Sequence, residues 1–246
     1  WKGYDSTKLN RQEVTRYRSN TMRLSYLGQD RIDLQESTKA LAQKMADPNE
    51  FDLTQLKRVA RYLKRYPRAV LVYPQQSMPR FVDGWVDSDH AGDIITRKST
   101  SGLCGMFGKH LLKSSSTVQD PIGLSSGEAE YYAAVKGGSF LLGFRSLLED
   151  FGITIRLNLI VKTDSSAAKG MLSRRGLGKQ RHISTRYLWI QDRVARQDLT
   201  IIKVGTKEQL ADILTKPSSQ KDIARVSELV GLEFREGIAS KQKQLC

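Results

Sequence analysis

The chain has 246 residues, 39% of them hydrophobic, so it is long enough to bury a globular core. No apolar run approaches the roughly 20 residues of a membrane-spanning helix, and two cysteines are too few for a disulfide framework or a zinc pattern. The formal net charge of +14 favours a polyanionic partner, most often nucleic acid, although a merely soluble basic protein has the same composition.

From Leu9 to about Tyr66 the spacing of apolar residues is helical. The stretch IDLQESTKALAQKM has apolar side chains at helix-like spacing, and Asp47-Pro48 ends it. The stretch EFDLTQLKRVARYLKRYP predicts a second amphipathic helix that ends at Pro67. One side of this helix is apolar, and the other carries basic residues that we name the basic ridge: Lys57, Arg58, Arg61 and Lys64. We therefore expect a small helical region before the main domain.

Residues 76–217 alternate between strand-like and helix-like patterns. RFVDGWVDSD, TSGLCGMFG and HLLKSS predict three strands, and a long helix follows from Ser125 to a terminating Gly152. A fourth strand ends at Asp164, and SSAAKGMLSRRG and RHISTRYLWIQDRVARQ predict two helices. DLTIIKVG predicts a fifth strand, and TKEQLADILTKP predicts a final helix. This order predicts an α/β fold in which a mixed five-stranded sheet carries helices on its faces. Residues 218–246 are predicted to be a polar tail with one short helix around IARVSELVGL.

Four carboxylates lie at element ends in this second region: Asp87, Glu130, Asp164 and Asp212. Functional groups of α/β sheets gather at strand ends and at the helix turns that face them, so four acids in these positions can converge. Carboxylates at such close range repel one another unless cations neutralise them. Mg²⁺ prefers carboxylates together with substrate phosphate, so the pattern favours a site for two divalent ions that acts on a phosphodiester.

Each acid also has a structural explanation. Glu128 and Glu130 would both complement the positive end of a helix dipole. Asp164 would serve as the N-cap of the helix that begins in SSAAKG, and Asp212 would be a solvated helix residue. The order of the whole set on these elements, rather than any one acid, favours the metal site.

Five ordered blocks carry a family resemblance: GWVDSDHAGDIITRKSTSG, LSSGEAEYYA, TDSSAA, RHISTRY and QLADILTKP. They resemble the ribonuclease H domain of copia-type LTR retrotransposon polyproteins and cover roughly residues 80–217. The preceding stretch, from YRSNTMRLSYLGQD to KRVARYLK, is similar to the reverse-transcriptase thumb and connection segment of the same polyproteins. The resemblance divides the chain into a thumb/connection-like segment (1–75), a ribonuclease H-like domain (76–217) and a polar tail (218–246).

The resemblance implies an endonuclease that hydrolyses the RNA strand of RNA–DNA hybrids during retrotransposon reverse transcription. Its ordered Asp–Glu–Asp–Asp set corresponds to Asp87, Glu130, Asp164 and Asp212 as catalytic residues and ligands of two Mg²⁺ ions, with Mn²⁺ as a substitute. Glu128 is then a first-turn helix acid outside the ligand set, and Asp89 is the rival of Asp87.

The sequence departs from the family pattern at several positions that are not metal ligands. His90 replaces a Trp, Ser165 an Asn, Ser184 an acid and Leu188 a His. These departures, and the absence of a Y-x-D-D polymerase motif, keep an alternative open. In that alternative the chain is a domesticated or decayed retroelement fragment that binds nucleic acid without cleaving it. A third hypothesis, a basic assembly scaffold, explains the charge but not the acids.

Two basic segments are predicted to contact nucleic acid. The basic ridge favours contact with the phosphate backbone over a merely solvated face. The second segment, KGMLSRRGLGKQRH, is predicted to grip the DNA strand through Arg174, Arg175, Lys179, Arg181 and His182. His182 is equally well explained as an ordinary helix-start residue.

The partners expected from the resemblance are an RNA–DNA hybrid and the polymerase portion of the same polyprotein. WKGYDSTKLN lacks a signal-peptide core. We therefore expect an intracellular protein, in a cytoplasmic virus-like particle or the nucleus, without membrane association.

Overall fold

The computed structural model describes residues 7–153 and 155–237. Its regular elements, in chain order, are α1 (Arg11–Leu27), α2 (Gln35–Ala42), α3 (Glu50–Arg65), β1 (Arg68–Leu71), β2 (Phe81–Ser88), β3 (Thr100–Phe107), β4 (His110–Val118), α4 (Ser126–Asp150), β5 (Asn158–Thr163), α5 (Ser166–Ser173), α6 (Trp189–Ala195), β6 (Thr200–Lys203), α7 (Gln220–Leu229) and β7 (Leu232–Arg235). They form two compact units. Within the described residues, the first unit combines residues 7–72 with residues 227–237, and the second unit consists of the residues from 73 to 226.

The first unit contains α1, α2, α3 and a two-stranded sheet. Asn10 and Asn49 begin α1 and α3 with reciprocal capping boxes, which satisfy the free N–H groups at both helix starts. Tyr17 is fully buried among Leu24, Leu41 and Leu56, and its hydroxyl donates to the carbonyl of Leu41. Of these core residues, Leu41 and Leu56 lie in the two stretches for which the spacing of apolar residues predicts a helix.

The two-stranded sheet of the first unit was not predicted. β1 pairs antiparallel with β7, so the chain returns to this unit near its C-terminal end. The segment 218–246, predicted to be a polar tail, contains the expected short helix as α7 and the unexpected strand β7. Residues 238–246 of that tail lie outside the described part of the chain.

The second unit is built on a five-stranded sheet with the strand order β4-β3-β2-β5-β6. The pairs β2–β3 and β3–β4 are antiparallel, whereas β5 is parallel to both β2 and β6. The predicted mixed five-stranded sheet is confirmed.

Helix α4 covers one face of this sheet. Ser125 caps its first turn by accepting a hydrogen bond from Glu128 N–H, and Gly152, at φ +75°, follows its end. The helix is buried around most of its first half, as expected for a central helix. Leu141 is fully buried against Gly84 of β2, and burial of a leucine of this kind contributes about 1.5–3 kcal/mol.

The opposite face is covered by a 3₁₀ turn, Ala211–Leu214. A Cβ at Gly102 of β3 would lie 2.8 Å from the Ala211 carbonyl oxygen, so only glycine permits this close approach. Helical turns therefore lie on both faces, as predicted.

The predicted final helix TKEQLADILTKP is wrong. Two 3₁₀ turns, Thr206–Glu208 and Ala211–Leu214, replace it. The side chain of Gln209 is fully buried between them, donates to the carbonyl of Val86 and accepts from Ala211 N–H. These side-chain bonds compete with the helical ladder and break it. The predicted helix RHISTRYLWIQDRVARQ is likewise shorter, because a 3₁₀ turn at Thr185–Tyr187 precedes α6.

We expect a fragment of residues 73–229 to fold more stably than the fragment 76–217 given by the sequence-based boundaries. The longer fragment keeps the bonds from Tyr73 hydroxyl to Leu111 O and from Arg225 to Gln209 O, together with the whole of α7. Urea denaturation of both fragments, followed by circular dichroism, measures the difference. Equal midpoints would contradict a unit that extends beyond residues 76–217.

Candidate active site

Three carboxylates converge at one end of the sheet, and we name them the acidic cluster: Asp87, Glu130 and Asp164. Each offers one oxygen, and the three oxygens lie within 4.8 Å of one another. Asp87 and Asp164 come together because β2 and β5 run parallel, with Trp85 paired to Lys162, so each acid lies two residues beyond that pair. The sequence predicts this convergence from the strand ends alone.

Glu130 reaches the cluster from the first part of α4. Its Oε1 accepts from Ser88 N–H at 3.1 Å, and its Oε2 accepts from Thr163 Oγ1 at 3.4 Å. The carboxylate therefore joins the ends of β2 and β5. Ser88 and Thr163 were not recognised as site residues, because nothing in the sequence distinguishes them from ordinary strand-end residues.

The carboxylates of the acidic cluster have like charges and lie close together in a largely buried site. Burial, and then the charge of Asp87, raise the pKa of the Glu130 carboxyl to about 9. Burial also raises the pKa of Asp87, a hydrogen bond from Thr215 opposes this change, and the charges of Asp212 and Asp164 add to it. Without cations the cluster therefore retains protons that free carboxyls would have lost at neutral pH.

Asp212 lies on the 3₁₀ turn beside the cluster but outside the three-carboxylate group found in the described residues. Its Oδ1 lies 2.5 Å from the ammonium of Lys216, and this hydrogen bond raises the pKa of the lysine. The same turn supplies Thr215, which follows directly in the motif QLADILTKP and donates to Asp87. The role of Asp212 as a fourth ligand stays a prediction.

Two alternatives from the sequence can be compared with the geometry. Asp89 accepts a hydrogen bond from Thr100 N–H through Oδ1 and is not in the cluster. Ser165, not Asp164, is the N-cap of α5, since its Oγ accepts from Ala168 N–H at 3.1 Å. The helix-cap explanation for Asp164 is therefore wrong.

A buried glutamine connects the elements around the site. The amide nitrogen of Gln119 lies 3.0 Å from Ser88 Oγ and 2.8 Å from the carbonyl of Ala129, and so it links β2 to the start of α4. Nothing in the sequence marks Gln119 as a residue of the site, because a polar residue after a strand is ordinarily part of a solvated loop.

The predicted nucleic-acid contacts differ in how free their side chains are. The basic ridge is exposed along α3. In the second segment, Arg175, Lys179 and Arg181 are exposed. Arg174 is half-buried and donates to Leu177 O, while the ring of His182 lies 2.8 Å from a carboxylate oxygen of Glu128.

None of the helices in the described part of the chain combines the length and the apolar character of a membrane-spanning helix.

The chain is similar to parts of much longer polyproteins. It is 30% identical over 230 residues to the retrovirus-related Pol polyprotein from transposon RE1 of Arabidopsis thaliana, and 31% identical over 230 residues to that from transposon RE2 of the same plant. Each match covers 93% of this chain but only 16% of the relative. No protein-family model matches the chain.

Among solved structures, LC11-RNase H1, isolated from compost by a metagenomic approach, matches with a TM-score of 0.38 and 16% identity over 59% of this chain and 97% of that one. The low TM-score and identity of this match support no conclusion about the chain, and its relationship to other proteins rests on the sequence relatives. Their similarity extends over almost the whole of this chain, and its homologues are therefore the retrovirus-related Pol polyproteins of copia-type transposons.

Proposed function

We propose that this chain is the ribonuclease H of a retrotransposon Pol polyprotein and hydrolyses the RNA strand of RNA–DNA hybrids. The observation that carries the proposal is the acidic cluster, in which two buried carboxylates and the partly buried Asp164 share a small volume. Exposed acids rarely need an explanation, but Asp87 and Glu130 are 6% and 7% exposed. Burial of like charges is costly unless a partner compensates for it.

The cluster fits hard divalent cations. It offers only carboxylate oxygens, the donor type that Mg²⁺ takes, and Mn²⁺ accepts the same donors. Asp87, Glu130 and Asp164 would hold the ions, with Asp212 beside them. Bound ions of this kind supply a Lewis acid and stabilise the charge on the attacking and leaving oxygens of a phosphodiester.

The protein groups around the cluster hold its oxygens in place. The hydrogen bonds from Ser88 N–H and Thr163 hydroxyl orient Glu130, and the hydroxyl of Thr215 orients Asp87. Fixed carboxylates lower the cost of arranging the ligands when substrate arrives. The exposed cations of the basic ridge would bind the phosphate backbone, and those of the loop 174–182 would bind the DNA strand.

Cleavage of an end-labelled RNA–DNA hybrid in the presence and absence of Mg²⁺ tests the proposal. We expect cut RNA with 3′-hydroxyl ends in Mg²⁺ and none in EDTA. Single-stranded RNA and duplex DNA of the same sequence are the controls. Binding of hybrid without any product would instead favour the domesticated or decayed fragment, which the intact acidic cluster disfavours.

We also propose an intracellular setting, in a cytoplasmic virus-like particle or the nucleus, where the polymerase portion of the same polyprotein would be the protein partner. The chain spans 16% of each relative described above, so the rest of such a polyprotein would supply that portion. Cleavage by the isolated chain and by the chain with a polymerase partner can be compared directly.

Neutralising the basic ridge with Lys57→Gln, Arg58→Gln, Arg61→Gln and Lys64→Gln is expected to weaken hybrid binding. Removal of each phosphate contact should reduce the slope of log affinity against log salt by roughly 0.9 on a B-like duplex. Fluorescence anisotropy at several salt concentrations measures the slope. A control variant neutralises four exposed residues elsewhere, Lys109, Arg196, Lys221 and Arg235, and changes the net charge equally. Equal slopes for the two variants would assign the ridge to a solvated face.

A further inference from the structure

The segment 174–182, which we name the basic loop, contains no helix or strand but is held by polar side chains. Arg174 donates to Leu177 O at 2.7 Å and to Gln180 Oε1 at 3.1 Å. Gln191 of α6, only 6% exposed, accepts from Gly176 N–H at 2.8 Å. The backbone of the loop thus takes a defined course at its start.

The end of the loop is fixed by Glu128, an acid that the acidic cluster does not use. Glu128 is 1% exposed, yet it lies on the first turn of α4, where acids are ordinarily solvated. Its Oε2 accepts from Leu124 N–H at 3.1 Å and lies 2.8 Å from His182 Nε2, and its Oε1 accepts from the hydroxyl of Tyr132 at 2.7 Å. A carboxylate with three donors and almost no solvent is a fixed anchor.

A third attachment follows five residues after His182. The hydroxyl of Tyr131 donates to the carbonyl of Tyr187 at 2.8 Å, and the rings of Tyr132 and Tyr187 meet edge to face at 4.8 Å. Three successive points of attachment, at Gly176, His182 and Tyr187, therefore hold the segment that carries the exposed cations of the loop. Those cations are Arg175, Lys179 and Arg181.

We propose that the Glu128–His182 contact is a positioning device that fixes the basic loop to the first turn of α4 and so sets where its cations meet the phosphates of the substrate. The inference rests on the proposed function, because it assigns a substrate-binding role to the loop. Glu130, a member of the acidic cluster, lies two residues after Glu128 on the same helix. One helical turn thus carries both a carboxylate that would face the scissile phosphate and the anchor of the cations that would hold the strand.

Preorganised cations bind more tightly than cations on a loop that must be ordered first, because the ordering entropy has been lost on folding rather than on binding. The contact should therefore act on affinity, with little effect on the rate of the bound complex. His182→Leu removes the ring N–H and leaves a side chain of similar bulk. His182→Gln restores an amide donor at about the position of Nε2.

We expect His182→Leu to raise KM for the hybrid about tenfold with kcat changed by less than threefold, and His182→Gln to restore most of the affinity. If His182 acts through the loop, its effect must disappear when the loop cations are absent. The decisive comparison is a double-mutant cycle with the triple variant Arg175→Gln, Lys179→Gln, Arg181→Gln. In that background His182→Leu should change the dissociation constant by less than twofold.

The dissociation constant of the hybrid is also measured by anisotropy in Ca²⁺, with Glu130→Gln added to each variant. The double-mutant cycle then gives a result even if no variant cleaves RNA. If the wild type does not cleave the hybrid, but the effect of His182→Leu on binding still disappears in the triple variant, the proposed function is rejected and the positioning role of the contact is supported. A fall in kcat alone, or additive effects in the cycle, would overturn the inference. Thermal melting of His182→Gln shows whether the fold is retained, and a His182→Gln variant that is folded but binds as weakly as His182→Leu would also overturn it.

Discussion

Replacing Asp164 by Asn is expected to lower cleavage of an RNA–DNA hybrid by at least about 100-fold, the upper end of the loss when only an outer-shell partner of a metal ligand is changed, because here a ligand itself would be lost. Asn keeps the shape of the side chain but removes one negative charge from the acidic cluster, where divalent cations would be held. Because Ser165 caps α5, Asp164 has no capping role whose loss would unfold the helix. Folding should therefore be intact, and hybrid binding should be retained or tightened, since a negative group that would face the phosphates of the hybrid is gone.

Single-turnover cleavage, anisotropy and thermal melting separate these three effects. Asp150→Asn is the matched control, since it removes an acid from the exposed end of α4, remote in sequence from the cluster. Wild-type cleavage by the Asp164→Asn protein would contradict the assignment of the cluster as a metal site. Loss of folding would show instead that the charge of Asp164 is structural.

The sheet and its central helix are predictable from the sequence because their signals are local. In β2 and β3 apolar residues are concentrated, and turn residues flank both strands. Helix α4 has a serine N-cap and is followed by a glycine. The same argument predicts the meeting of Asp87 and Asp164, since parallel strands end at the same edge. The convergence of these two acids can thus be predicted from local patterns and strand direction, whereas their catalytic role stays a prediction.

The remaining parts depend on contacts between residues far apart in the chain. The segment after β6 has helical periodicity, but Gln209 bonds to Val86, 123 residues earlier, and this contact converts the helix into 3₁₀ turns. β1 forms a strand only because β7, more than 160 residues later, pairs with it. Glu128 has the sequence signature of a helix-dipole acid, and its burial follows from His182 and Tyr132. Local patterns contain no information about such partners.

The stability of the metal-free protein is expected to fall as pH rises from about 5 to 9. Glu130 has a folded-state pKa of about 9, raised first by burial and then by the charge of Asp87. A group whose pKa is higher in the folded than in the unfolded state stabilises the fold while protonated. That stabilisation is complete below the unfolded pKa, near 4.5, and is lost as pH rises through the folded value. The raised pKa of Asp87 acts in the same direction.

Divalent cations should reverse this loss, because they replace the protons and bind only the deprotonated carboxylates. We therefore expect Mg²⁺ to raise the melting temperature more at pH 9 than at pH 5. The side chain that Glu130→Gln introduces has no carboxyl proton to release. At pH 9 without metal, the free energy of unfolding of the variant should therefore exceed that of wild type by on the order of a few kcal/mol, and its melting temperature should be higher. It should also show a much smaller Mg²⁺ shift and no cleavage.

Melting curves of the full chain at several pH values, with and without Mg²⁺, measure both effects. Glu149→Gln is the matched control, because it makes the same exchange on α4 at a side chain that is 60% exposed. It should reproduce the wild-type pH dependence and the wild-type Mg²⁺ shift. If Glu130→Gln and wild type instead show the same Mg²⁺ shift at pH 9, the cations that stabilise the protein bind elsewhere, and Glu130 is a buried structural acid.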